Sequence, residues 1–104
     1  MKSDLGDLPE KVIRDGDCSY FLYPDRDVLG SVKCTAYHKY TKVLNISIDH
    51  LSRTVTCLST NLVTYHDLYH IEKILKGVLP TEVSLLELLS KAIISREGSV
   101  TINF

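Results

Sequence analysis

The sequence predicts an α+β domain: an antiparallel β-meander of about four strands, two helices packed on one face of the sheet, and a C-terminal strand. Three observations predict it. Apolar side chains recur every second residue through 31–38, 42–49 and 53–60, as half-buried strands require. After Asn61 the period becomes helical, behind residues suited to capping. Alternation then returns over 99–104. Strands that precede the helices, instead of interleaving with them, favour an antiparallel sheet roofed on one side.

Residues 1–17 hold Gly6, Pro9 and Gly16 among five acids and read as a partly irregular N-terminal arm, docked by Val12 and Ile13. Residues 18–104 read as one α+β domain. "CSYFLY" (18–23) is short and aromatic, bounded by Asp17 and Pro24, which suits a strand. Residues 24–30 form a Pro/Asp loop with Gly30 at its exit. In 31–38 Val32, Cys34 and Ala36 share a face, in 42–49 Leu44, Ile46 and Ile48, and in 53–60 Val55 and Cys57. The connectors between these strands are hairpin length.

Thr64 is placed to cap a first helix, with Asp67 in its first turn, Leu68, Ile71, Leu75 and Val78 on one stripe, and Gly77 to stop it. Ser84 and Glu87 have capping-box spacing, with Val83 able to staple onto Leu88, so a second helix is expected over about 85–96. Val100, Ile102 and Phe104 alternate in the last strand, which is expected to join an edge of the sheet.

Composition bounds function. The 104 residues, 44% hydrophobic and 24% charged, suit one globular core. A net charge of −1 builds in no general attraction to polyanions, although residues 28–60 carry a net +3. Cys18, Cys34 and Cys57 are odd in number and widely spaced, and neither a CxxC nor a signal peptide is evident. A reducing, cytoplasmic setting is therefore expected. No apolar run approaches the roughly 20 residues that span a bilayer, and no membrane partner is expected.

Chemistry is weakly signalled. His66 and His70, four residues apart on the first helix, lie about 40° apart around its axis. Such a pair can share a metal, but Asp67 replaces the glutamate of an HExxH motif, and Lys73 falls between the two rings. The expectation is a solvated helix face. Cys34 and Cys57 are expected on the inner sheet face as small hydrophobes. Cys18 stands near Asp15 and Asp17, a poor electrostatic setting for a thiolate nucleophile. No phosphate loop or nucleophile elbow is present. Neither enzymatic activity, a catalytic residue, a metal nor a cofactor is expected.

Contact surfaces are better marked. In "LLELLSKAIIS" (85–95) the apolar arc is wider than one sheet covers, with Ile94 on the side of Glu87, Ser90 and Lys91. Helix–helix packing or a second subunit would fill it. Leu86, Leu89, Ile93 and Ile94, with Val100, Ile102 and Phe104 on the last strand, form the candidate interface. The expected function is that of a small binding or regulatory protein acting through protein–protein contacts, as a homodimer or with another protein. The alternative is a nucleic-acid-binding accessory protein using Lys33, Tyr37, Lys39, Tyr40, Lys42 and Arg53, where cations lie beside aromatics. That reading is not favoured, because the aromatic run of an RNA-recognition sheet is absent.

Overall fold

The computed structural model describes residues 8–25 and 27–104; residues 1–7 of the expected arm lie outside them. Six antiparallel strands form one sheet in sequence order: β1 (Lys11–Asp15), β2 (Cys18–Pro24), β3 (Ser31–His38), β4 (Thr41–Asp49), β5 (Thr54–Ser59) and β6 (Ser99–Asn103). Between β5 and β6 the chain forms α1 (Tyr65–Leu75) and α2 (Leu85–Ile94). The α+β class is as the sequence predicts. The meander is longer than expected, because the lead-in supplies a strand.

That strand, β1, pairs from Lys11↔Leu22 to Asp15↔Cys18. Its turn is two residues, Gly16 and Asp17, with Gly16 at φ +60°, the left-handed region that glycine enters without steric cost. The β3–β4 turn is equally tight, His38 pairing with Thr41 and Lys39 at φ 56°. Both turns lie at the same end of the sheet, and the Lys39 N–H donates to the Asp17 carbonyl at 2.6 Å. Ala36 pairs with Leu44 and Tyr37 with Lys42, leaving Val43 as the extra residue of a bulge.

Strand alternation gives the sheet two unlike faces. Tyr20, Leu22, Cys34, Ile46, Ile48, Val55 and Cys57 are buried under the helices. α1 lies against β1, β2 and β3, and α2 against β5 and β6. From the helices Ile71, Ile74, Leu88, Leu89 and Ala92 complete the core. Thr64 caps α1 and Ser84 caps α2, each side chain accepting from the backbone N–H three residues on. α2 ends at Ile94, two residues earlier than expected, and its Ser95 N–H returns to the Lys91 carbonyl.

β6 pairs with β5 from Thr54↔Asn103 to Leu58↔Ser99, so the last strand joins the edge as expected. Val100, Ile102 and Phe104 are partly buried against the core.

Ile46 sits between Cys34 and Cys57 in the register and is fully buried. Ile46→Ala is expected to lower the unfolding free energy by about 2–5 kcal/mol through lost burial and a residual cavity. Leu29→Ala, at an exposed loop position, should change it by less than about 0.5 kcal/mol. Urea unfolding of both variants measures the contrast.

Candidate functional site

The chemistry-bearing side chains gather where α1 crosses the turn end of β1, β2 and β3. Of the pair expected on a solvated face, His66 is exposed but His70 is buried. The buried residues of α1 are Asp67, His70, Ile71, Ile74 and Leu75, while Leu68 is only partly covered. The buried stripe is therefore turned by about 50°, half of one residue's step, from the one the leucines suggest.

Asp67 sets this rotation. Its carboxylate is fully buried and accepts from the Tyr20 hydroxyl (2.6 Å), His38 Nε2 (2.8 Å) and the Thr64 backbone N–H (2.9 Å). Burial alone would favour the neutral acid, but the donors from Tyr20, Thr64 and His38 outweigh it and hold the carboxyl below its ordinary value. The Tyr20 phenol is pushed up by burial and by the adjoining Asp67 carboxylate and Cys18 thiol. Cys18, His38 and Asp67 bring their donor atoms within 4.8 Å of one another. The thiol, imidazole and carboxylate are thus adjacent, but Asp67 is closed off from solvent and His38 spends Nε2 on it.

Beside this lies a second, open cluster. His70 Nε2–H donates to Asp15 Oδ2 at 2.9 Å, and His66 Nε2 stands 2.8 Å from the same oxygen. The two imidazoles meet edge to face with centroids 4.7 Å apart. His70 is fixed between the rings of Tyr20 (4.9 Å) and Tyr69 (5.3 Å). Asp15 is held below the usual carboxylate range, chiefly by the His70 hydrogen bond. The Lys73 ammonium is drawn over the Tyr69 ring at 4.8 Å, a cation–π contact, instead of capping the histidine pair.

Cys34 and Cys57 are buried on the inner face as expected, and burial pushes both thiols up to about 12. Such thiols are poor nucleophiles and poor metal ligands near neutral pH.

The candidate interface divides. Leu89 belongs to the core, and Val100, Ile102 and Phe104 pack partly against it. Leu86, Ile93 and Ile94 remain exposed, Ile94 by 81%. The candidate Lys/Tyr surface divides too. Lys33, Tyr37 and Lys42 line a 430 Å³ cleft on the open sheet face with Tyr23, Thr35 and Asn45. Lys39 and Tyr40 occupy the β3–β4 turn and border a different cleft, beside Cys18. Arg53 lies at the opposite end, where its Nε donates to the Phe104 carbonyl (2.6 Å) and its guanidinium covers the Phe104 ring (5.0 Å).

Asp15, Tyr20, His38 and Asp67 were not legible as a group in the sequence. The two-residue Gly16–Asp17 turn, which follows Asp15 directly, was the available signal.

Comparison with protein-family models, curated proteins and solved structures found no significant match to this chain. Among the described residues no helix is long and apolar enough to cross a membrane.

Asp67 is depressed in the folded state, so it contributes stability that is present above the ordinary carboxylate value of about 3.9 and lost as pH falls through its lower folded value. Asp67→Ala should cost about 3 kcal/mol near neutral pH, by orphaning donors that now meet a charged acceptor. Urea unfolding followed from pH 6 downward should show a steeper loss of stability below about pH 4 in the wild type than in Asp67→Asn.

Proposed function

We propose that the protein acts by binding another protein surface, a second copy of itself in the first instance, through the face formed by α1 and α2. The observation that carries this reading is the apolar groove between the helices. Val63, Leu68 and Leu89 contribute to its lining, with Tyr65 and Ile93 beside them, and it encloses 250 Å³. Of these, Tyr65 and Ile93 are exposed by 83% and 42%. The two helices lie over different parts of the sheet, α1 over β1–β3 and α2 over β5 and β6, which leaves a furrow between them. An apolar furrow edged by Tyr65 suits the apolar side chains of a partner helix. With a net charge of −1, repulsion between two copies is small. Enzymatic activity forms no part of this reading.

A second reading is favoured by the open sheet face. Phe21 stacks near Tyr23 (6.0 Å) and meets Tyr37 edge-on (6.0 Å), Arg14 lies over Phe21 (5.5 Å), and Lys33 and Lys42 stand beside this aromatic strip. Aromatics for stacking beside cations for phosphate suit a single-stranded nucleic acid. Asp25 and Asp27 border the same cleft and oppose a polyanion, which is why protein contact is preferred.

Light scattering during size-exclusion chromatography is expected to give a dimer mass at tens of micromolar chain. Ile93→Glu and Ile94→Glu should give folded monomers with unfolding midpoints near that of the wild type, since neither side chain is in the core. A wild-type monomer at that concentration removes the self-association reading. For the second reading, retention on single-stranded DNA should fall steeply as salt rises from about 50 to 200 mM. Absence of retention at the lower salt excludes it.

A further inference from the structure

We infer that Asp15, His66 and His70 form a binding site for a divalent transition-metal ion of the zinc class, with a coordination position left open to solvent. Two imidazole nitrogens and one carboxylate oxygen already converge, at 2.8 and 2.9 Å from nitrogen to oxygen and all within 4.8 Å of one another. Tetrahedral bonds of about 2.0–2.1 Å place neighbouring ligand atoms roughly 3.3 Å apart. Each nitrogen therefore stands about half an ångström closer to the Asp15 oxygen than an ion between them requires. Two of the three can supply that opening, because the His66 and Asp15 side chains are 54% and 48% exposed.

The supports are unequal in stiffness, as a usable site needs. His70 is buried, and Tyr20 and Tyr69 hold its ring. Asp15 ends β1 at a two-residue turn, and at the other end of the strand the Lys11 ammonium donates to the Ile74 carbonyl (3.2 Å), fastening β1 to the far part of α1. The i, i+4 spacing on α1 brings the two rings to one side. Donors of two nitrogens and one oxygen match zinc and cobalt better than calcium or magnesium, which take oxygen sets.

The neighbouring Cys18–His38–Asp67 group carries no such proposal. Its carboxylate already accepts from Tyr20, His38 and Thr64, and an ion would have to break those bonds inside the core.

One feature of the site limits its affinity. His70 donates its Nε2–H to Asp15, and its other ring nitrogen, Nδ1, faces the interior. That atom is buried and has no hydrogen-bond partner among the described residues. Metal on Nε2 requires the proton to move to Nδ1, where no acceptor awaits it. Ligating histidines ordinarily have that acceptor, and its removal typically weakens binding by about 10–100-fold. Micromolar affinity is therefore expected, not the tighter binding of a fully supported structural zinc site.

The test uses untagged full-length protein stripped with EDTA. Co2+ titration should give the visible absorption of a low-symmetry four-coordinate ion, saturating at one ion per chain and displaced by Zn2+. Zn2+ should raise the thermal unfolding midpoint of the wild type. His66→Ala and Asp15→Asn, both at exposed side chains, should keep the far-UV circular dichroism of the wild type and bind at least tenfold more weakly. In both variants the same Zn2+ concentration should raise the unfolding midpoint less than in the wild type. His38→Gln, in the adjoining cluster, should bind Co2+ like the wild type. Absence of a Co2+ spectrum at saturating metal overturns the proposal. So does binding unaffected by His66→Ala or Asp15→Asn, or binding lost in His38→Gln while the other two retain it.

Discussion

A single buried carboxylate sets the orientation of the first helix. Asp67 carries a charge into the interface between α1 and the sheet, where desolvation would expel it unless donors surrounded it. Tyr20 from β2, His38 from the end of β3 and the capping Thr64 all supply them. Tyr20 and His38 belong to the sheet, so they fix the way α1 faces about its axis, while Thr64 turns with the helix. With Asp67 inward, His70 is carried into the interface and His66 to its margin, both toward Asp15. Had Leu68 faced the sheet squarely, the histidines would have pointed to water. The local preference of an aliphatic stripe is overridden because an unpaired buried charge costs more than one half-exposed leucine.

The same network joins parts of the chain that are far apart in sequence. The β1–β2 and β3–β4 turns are linked by the Lys39–Asp17 backbone bond, so Asp15, Cys18 and His38 share one end of the sheet. α1 then lays Asp67 and His70 across that end. A buried, saturated centre and an open, half-exposed one result from a single docking event. The buried centre gives rigidity; the open one retains side chains that can move. This pairing of a rigid support with an adjustable rim is what a ligand site requires.

The remaining surfaces follow from the layer order. Roofing one face of a six-stranded sheet with two short helices leaves the opposite face, two strand edges and a furrow between the helices in contact with solvent. Phe21, Tyr23 and Tyr37 lie on that open face because alternation puts them opposite Tyr20, Leu22 and Ala36. Ile93 and Ile94 stay outside because Leu85, Leu88, Leu89 and Ala92 already satisfy the inward side of α2. The wide apolar arc of that helix thus exceeds what its own sheet covers, in keeping with its sequence.

By itself the sequence determined what depends on near neighbours. Period-two alternation placed β3 to β5 and β6, a short aromatic run between Asp17 and Pro24 placed β2, capping residues marked both helix starts, and the inward cysteines were legible from their apolar strand partners. It did not reveal β1, whose five residues show little alternation and are stabilised by pairing with β2. Nor did it reveal that Leu89 lies inside while Leu86 and Ile93 lie outside, or that Arg53 is bound to Phe104 at the far end from Lys39. Tertiary structure alone decided the rotation of α1 and the meeting of Asp15 with His66 and His70. Those depend on hydrogen bonds between residues some 30 to 55 positions apart, and local periodicity carries no information about which distant donor a buried carboxylate will find.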